Sequence, residues 1–170
     1  QMPRCIIQHT TLMSTPPTTT DFVLELDARP DLLCVIRAAL AAWCERGGVE
    51  ACRTDQICLA VDEATANIIR HAYQGTAGRI RMTCSRQVDG DLSSLLIILE
   101  DDGRQVPLHS IRPRELDDVK PGGLGVHLIR QVMNEARWSH RPEGGTTPTM
   151  SVDLDQPSAT KPRKDAAHAR

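Results

Sequence analysis

Glu63, Asn67 and Arg70 stand at i, i+4 and i+7 in the stretch LAVDEATANIIRHAYQG, residues 59–75. On a helix that spacing gathers a carboxylate, an amide and a guanidinium into one stripe. A second polar island closes the run LLIIL, which stops at Glu100, Asp101, Asp102 and Gly103. An aspartate where a strand ends can accept a hydrogen bond from an exocyclic amine, and the glycine lets the backbone turn beneath a flat ring. The third island is PGGLGVHLIR, where Gly122, Gly123 and Gly125 open a helical pattern. Backbone N–H groups at such a start, those of Leu124 and Val126 among them, lie uncovered at the positive end of the helix and can cradle phosphate. No Gly-Lys-Ser/Thr follows, as a P-loop requires, and no strand directly precedes, as a dinucleotide fingerprint requires.

Each island alone has a plainer reading: a solvated helix face, a turn with hydrated acids, a glycine-rich helix start. Together, and in this order, they supply the contacts of ATP·Mg2+. Asn67 offers magnesium a neutral oxygen, with phosphates and water filling the other octahedral positions. Asp101 reads the adenine amine, and Gly123 and Gly125 clear space for the phosphates.

The elements that must position these residues are legible from periodicity. DFVLELDA alternates Phe22, Leu24 and Leu26 on one side and reads as a strand. A helix follows, with Pro30 in its first turn and Gly47-Gly48 as its stop. The next helix is capped by Thr54 or Asp55, buries Ile57, Val61, Ala64, Ile68 and Ala72, and ends near Gly75. GRIRMTCSRQ and LSSLLIILEDDG form a hairpin about Asp89-Gly90. Residues 103–120 form a long loop with a short helical turn, a length that in a compact domain points to function or mobility. GGLGVHLIRQVMNEA returns to helix with Val126, Leu128, Ile129, Val132 and Met133 inward, and RWSHR and TPTMSVDL close the sheet around Pro142–Gly145. The order β-α-α-β-β-loop-α-β-β predicts an α+β two-layer sandwich, a mixed sheet with three main helices on one face. Residues 1–20 read as a flexible arm, 21–154 as the folded domain and 155–170 as a disordered basic tail.

Composition narrows the partners. The 170 residues carry a net charge of −2, with no general attraction to nucleic acid or acidic membrane. Two tryptophans, one tyrosine and one phenylalanine are too few for a single-strand stacking platform. The six cysteines (5, 34, 44, 52, 58 and 84) form no Cys-x-x-Cys pair. Cys34, Cys44 and Cys58 fall among apolar helical positions, so buried free thiols in a reducing, cytoplasmic setting are expected. No apolar run reaches membrane-spanning length.

The three islands closely resemble the nucleotide motifs of the gyrase, chaperone, histidine kinase and MutL (GHKL) ATPase superfamily. DEATANIIRHAY is similar to its N box, EDDGR to its first glycine box and GGLGVHLIRQVMNEARW to its second. Within it the chain resembles the anti-sigma-factor serine/threonine-protein kinases of bacteria. The resemblance implies a protein that sequesters a sigma factor and phosphorylates a serine on a STAS-type anti-anti-sigma protein. It implies Glu63 as general base, Asn67 as magnesium ligand, Asp101 on the adenine amine with Gly103 beneath the ring, and residues 104–122 as lid. The backbone of residues 122–126 and Thr147 join the nucleotide-contacting set, with Arg70 near phosphate or partner and Lys120 as the basic residue for the terminal phosphate. Homodimerisation follows by analogy. The first glycine box departs from the family pattern at Gln105, where a glycine is usual. That departure supports an alternative, a module that binds ATP to set its partner choice without transferring phosphate. A severed histidine kinase is disfavoured, because the 20 loop-like residues upstream provide no phospho-acceptor hairpin.

Overall fold

A computed structural model describes residues 18–89, 92–111 and 124–154. Strand β1 (Thr18–Asp27) turns Phe22, Leu24 and Leu26 toward the core and leaves Val23 exposed. A 3-10 turn at Pro30–Leu32 leads into α1 (Leu33–Arg46), whose buried stripe is Ile36, Leu40 and Cys44. Helix α2 (Ala51–Asn67) begins earlier than the expected cap at Thr54 or Asp55. Val49 N–H closes on the Cys44 carbonyl, and the extended Glu50 accepts the first helical bond from Thr54 N–H, so the chain re-enters helix immediately after the glycine stop. The remaining elements are β2 (Arg79–Asp89), β3 (Leu92–Asp101), α3 (Leu124–Val132), β4 (Glu135–His140) and β5 (Thr146–Asp153).

The strands form one sheet in the order β1-β2-β3-β5-β4. Every pairing is antiparallel, where a mixed sheet was expected. The reason is the double helix insertion. A single crossover helix returns the chain parallel, whereas α1 and α2 together add one more reversal. One sheet face carries Ile80, Met82, Cys84, Leu95, Ile97, Leu99, Met150 and Val152, all buried in the same core as Ile57, Val61, Ala64 and Ile129 of the helices. Each fully buried aliphatic side chain contributes about 1.5–3 kcal/mol. The outer face sets Glu25, Arg81 and Glu100 side by side across three strands, with Arg79 2.7 Å from Glu25. Such exposed pairs add little stability and mainly keep this face wet.

Cys44, Cys58 and Cys84 are buried free thiols, but Cys34 is exposed, against expectation. The core stripe of α1 runs through 36, 40 and 44, and residue 34 lies about 200° round the helix from Ile36. Among the described residues no helix is long and apolar enough to cross a membrane.

Candidate nucleotide site

Past Asn67 the second helix opens into a wide π-type turn, Ile68–Tyr73, closed by the Gln74 N–H to Ile69 carbonyl bond and a left-handed Gln74 (φ 52°). Tyr73 is buried, and its hydroxyl accepts from Arg79 N–H (3.1 Å) and Asp102 N–H (3.0 Å) while donating to the Arg79 carbonyl. One phenol oxygen thus joins the end of the helix to the start of β2 and the end of β3. Burial raises its pKa, which keeps it a donor.

That junction fixes Asp101, which is 1% exposed. Its Oδ1 accepts from Gly103 N–H at 2.9 Å and its Oδ2 from Thr146 N–H at 3.1 Å. Burial pushes its pKa above the ordinary carboxylate value, against the opposing pull of those two N–H groups. Gly145 (φ +82°) lies against the Asp101 carbonyl where no Cβ fits. Gly103 is equally constrained: a Cβ there would lie 2.8 Å from the Ala72 carbonyl oxygen and Cβ.

Asp101 forms part of the wall of a cavity of about 470 Å3, within the range of small-ligand sites. Ala64, Ile68 and Ala72 border it from the helix, Val106 and Ile111 from the loop, and Trp138 and Pro148 from the sheet. Asn67, His71 and Arg104 add polar groups to this largely apolar lining. The first turn of α3 closes over the opposite side. A Cβ on Gly125 would lie 2.5 Å from Glu63 Oε2 and 3.4 Å from Asn67 Nδ2. Glycine at 125 is therefore what lets this backbone approach the carboxylate and the amide.

The structure brings together Asn67, Asp101, Gly125 and Val126 on one cavity; Glu63 lies against Gly125 but is not one of the lining residues. Arg70 is exposed, and its Nη1 donates to Asn67 Oδ1 at 3.2 Å. Gly103 packs behind the wall on Ala72 rather than lining the cavity. Strand alternation places Thr146, not Thr147, beside Asp101 and in the lining. Lys120, Gly122 and Gly123 lie outside the described residues, as do residues 112–123 of the lid segment, residues 1–17 and 155–170, and the side chain of Leu124. Gln105 is exposed and donates its amide to the Arg141 carbonyl at 2.8 Å, so it does not enter the cavity.

A profile of the histidine kinase-like ATPase domain matches residues 26–152. The chain belongs to this family. Serine-protein kinase RsbW of Bacillus subtilis (strain 168) is 26% identical over 142 residues, covering 78% of this chain and 84% of the relative. RsbW of Bacillus cereus (strain AH187) is 26% identical over 125 residues, covering 69% and 76%. Among solved structures, the Erythrobacter litoralis EL346 blue-light activated histidine kinase aligns with a TM-score of 0.46 at 27% identity, over 62% of this chain and 32% of that one. The Pseudomonas aeruginosa SiaB–SiaC complex aligns with a TM-score of 0.49 at 14% identity, over 79% and 91%.

Within this histidine kinase-like ATPase domain, sequence reasoning missed Thr146, Trp138 and Arg141. Arg141 Nη1 donates to the Asp101 carbonyl (3.0 Å) and to Asp102 Oδ1 (2.7 Å), tying the β4–β5 turn to the end of β3. Trp138 carried one available signal, an aromatic in a chain that has few. His71 also lines the cavity; burial and then Arg70 and Arg104 lower its pKa. No group of three His, Cys, Asp or Glu side chains among the described residues is arranged to hold a metal ion.

Proposed function

We propose that this protein is an ATP-dependent protein serine/threonine kinase that phosphorylates a STAS-type anti-anti-sigma protein and sequesters a sigma factor in the cytoplasm. The observation that carries the reading is the approach of Gly125 to Glu63 and Asn67 beside the cavity that Asp101 borders. The named relatives, serine-protein kinases across most of the chain, support the same direction.

The residues divide the work. Asp101, held by two backbone N–H groups, keeps acceptor capacity on its carboxylate for an adenine amine. Glu63 is half-buried and makes no hydrogen bond or ion pair among the described residues, so its oxygens are available to accept the proton of a substrate serine. A positioned base of this kind contributes about 10²–10⁴-fold. Asn67 suits magnesium, because it lines the cavity and its neutral amide oxygen is held only by exposed Arg70, which must release it. When bound, that ion would screen the charge of the phosphates. Arg70, once released, can turn its guanidinium to a phosphate oxygen.

The test is incubation with γ-labelled ATP and the cognate STAS protein. Phosphoserine should form, and Glu63→Gln should keep nucleotide binding while losing most transfer. Full transfer by that variant removes Glu63 from the mechanism, and ATP binding without phosphoserine selects the alternative of a non-transferring regulatory module. That alternative came from the glycine replaced by Gln105, and the turn of this side chain onto Arg141, away from the cavity, weakens it.

A further inference from the structure

The two tryptophans lie by opposite edges of the sheet, Trp43 on α1 against β1 and Trp138 within β4. Trp43 packs edge-on against Phe22 of β1, with its Nε1 donating to Asp21 at 2.7 Å. Trp138 belongs to β4, the far edge strand, and is paired in register with Pro148 of β5. Both Trp138 and Pro148 border the 470 Å3 cavity, and Pro148 stands two residues along β5 from Thr146, the residue that holds Asp101. The Arg130 guanidinium lies 5.9 Å from the indole centroid, while Arg130 itself is exposed and is not part of the cavity wall. A cation over an aromatic face restrains the ring.

We infer that Trp138 is a nucleoside-contacting residue of this chain, an aromatic wall that packs against the bound nucleotide beside the group that reads its amine. The inference rests on the proposed ATP site and adds to it a residue outside the three sequence islands. The physical ground is the pairing of a flat apolar surface with a ligand that has a π-face. Loss of base–aromatic packing costs about tenfold or more in affinity. Since Trp138 is remote from Glu63 in its element and role, it should affect ground-state binding and leave the transfer step alone.

The experiment uses the full chain carrying Trp43→Phe, so that Trp138 is the sole indole. Adding ATP should change the intensity or wavelength of its emission, saturating at the same concentration that equilibrium dialysis of labelled ATP gives for binding. Replacing Trp138 by Leu should raise KM for ATP about tenfold with kcat within about twofold, and Trp138→Phe should restore most of the loss. ATP binding in dialysis with unchanged indole emission overturns the inference and leaves the kinase reading intact. A Trp138→Leu chain that folds, by circular dichroism, and keeps its ATP affinity overturns it as well. No ATP binding at all overturns both.

Discussion

Asp101→Asn separates the anchoring role of this side chain from its role toward nucleotide. The carboxylate offers two acceptors to two backbone donors, the part-buried Gly103 N–H at 2.9 Å and the buried Thr146 N–H at 3.1 Å. An asparagine has one carbonyl oxygen and one NH2, so in either orientation one of those backbone N–H groups faces another donor. Losing a hydrogen bond to a charged acceptor removes about 1.5–3 kcal/mol, and leaving a buried donor unpaired costs about 1–3 kcal/mol. Part of this is offset, because the native carboxylate is itself penalised by burial, as its raised pKa records. A net loss of about 2–3 kcal/mol corresponds to roughly 10 °C in melting temperature for a domain of this size. Thermal unfolding followed by circular dichroism reads the first quantity. Labelled-ATP dialysis well below the melting point reads the second, where affinity should fall at least about tenfold. An unchanged melting temperature would refute the anchoring argument, and unchanged ATP affinity would remove Asp101 as the adenine reader.

Four further outcomes are expected. Gly125→Ala should fold but lose phosphate transfer, because its Cβ displaces Glu63 Oε2 from 2.5 Å; normal transfer would show the carboxylate is not needed in place. Tyr73→Phe should lower stability by about 2–4 kcal/mol in a urea titration, since it strips partners from Arg79 and Asp102 N–H and from the Arg79 carbonyl. A thiol reagent at mildly alkaline pH should modify Cys34 and Cys52 in the folded chain and reach Cys44, Cys58 and Cys84 only on unfolding, which peptide mapping resolves. Burial pushes the Cys44 thiol up to about 12 from 9.0, so the unfolded chain loses this proton first. Stability from Cys44 is therefore fully present below pH 9 and is lost as pH rises from 9 to about 12; burial raises Cys58 and Cys84 in the same direction, so Cys44→Ala should make the alkaline decline shallower in an unfolding series without abolishing it.

Periodicity carried most of the fold. The inward stripe of α2, the alternation of β1 and the β2–β3 hairpin all follow from side-chain spacing, because a one-sided core imposes it. The direction of strand pairing did not follow, since it depends on how many reversals the chain makes between strands. The start of α2 was also misplaced, because Glu50 supplies only its backbone and no side-chain cap marks the site. In the candidate site, the proximity of Glu63, Asn67 and Gly125 was legible from helix geometry and glycine placement, though their roles were not. Thr146 was confused with Thr147 because adjacent threonines look alike until register decides which one faces inward. Arg141 was invisible for a different reason: its partners are a carbonyl and a carboxylate about 40 residues away in sequence, and no local pattern encodes such a contact.

The wide turn at Ile68–Tyr73 holds a surplus residue inside what would otherwise be a continuous helix. The slack turns two carbonyls outward: Ala72 O takes Arg104 N–H at 3.2 Å, and His71 O takes Arg104 Nε at 2.8 Å. On the helix side both stitches end on main-chain carbonyls, whose supply does not depend on side-chain identity, while the loop supplies one main-chain N–H and the Arg104 side chain. Deleting one residue from this turn would rewind it, swing Tyr73 about 100° away from its three contacts and cut both stitches at once. Substituting the side chain of His71 would leave both acceptor carbonyls in place, so for these two stitches chain length is under tighter constraint than side-chain character.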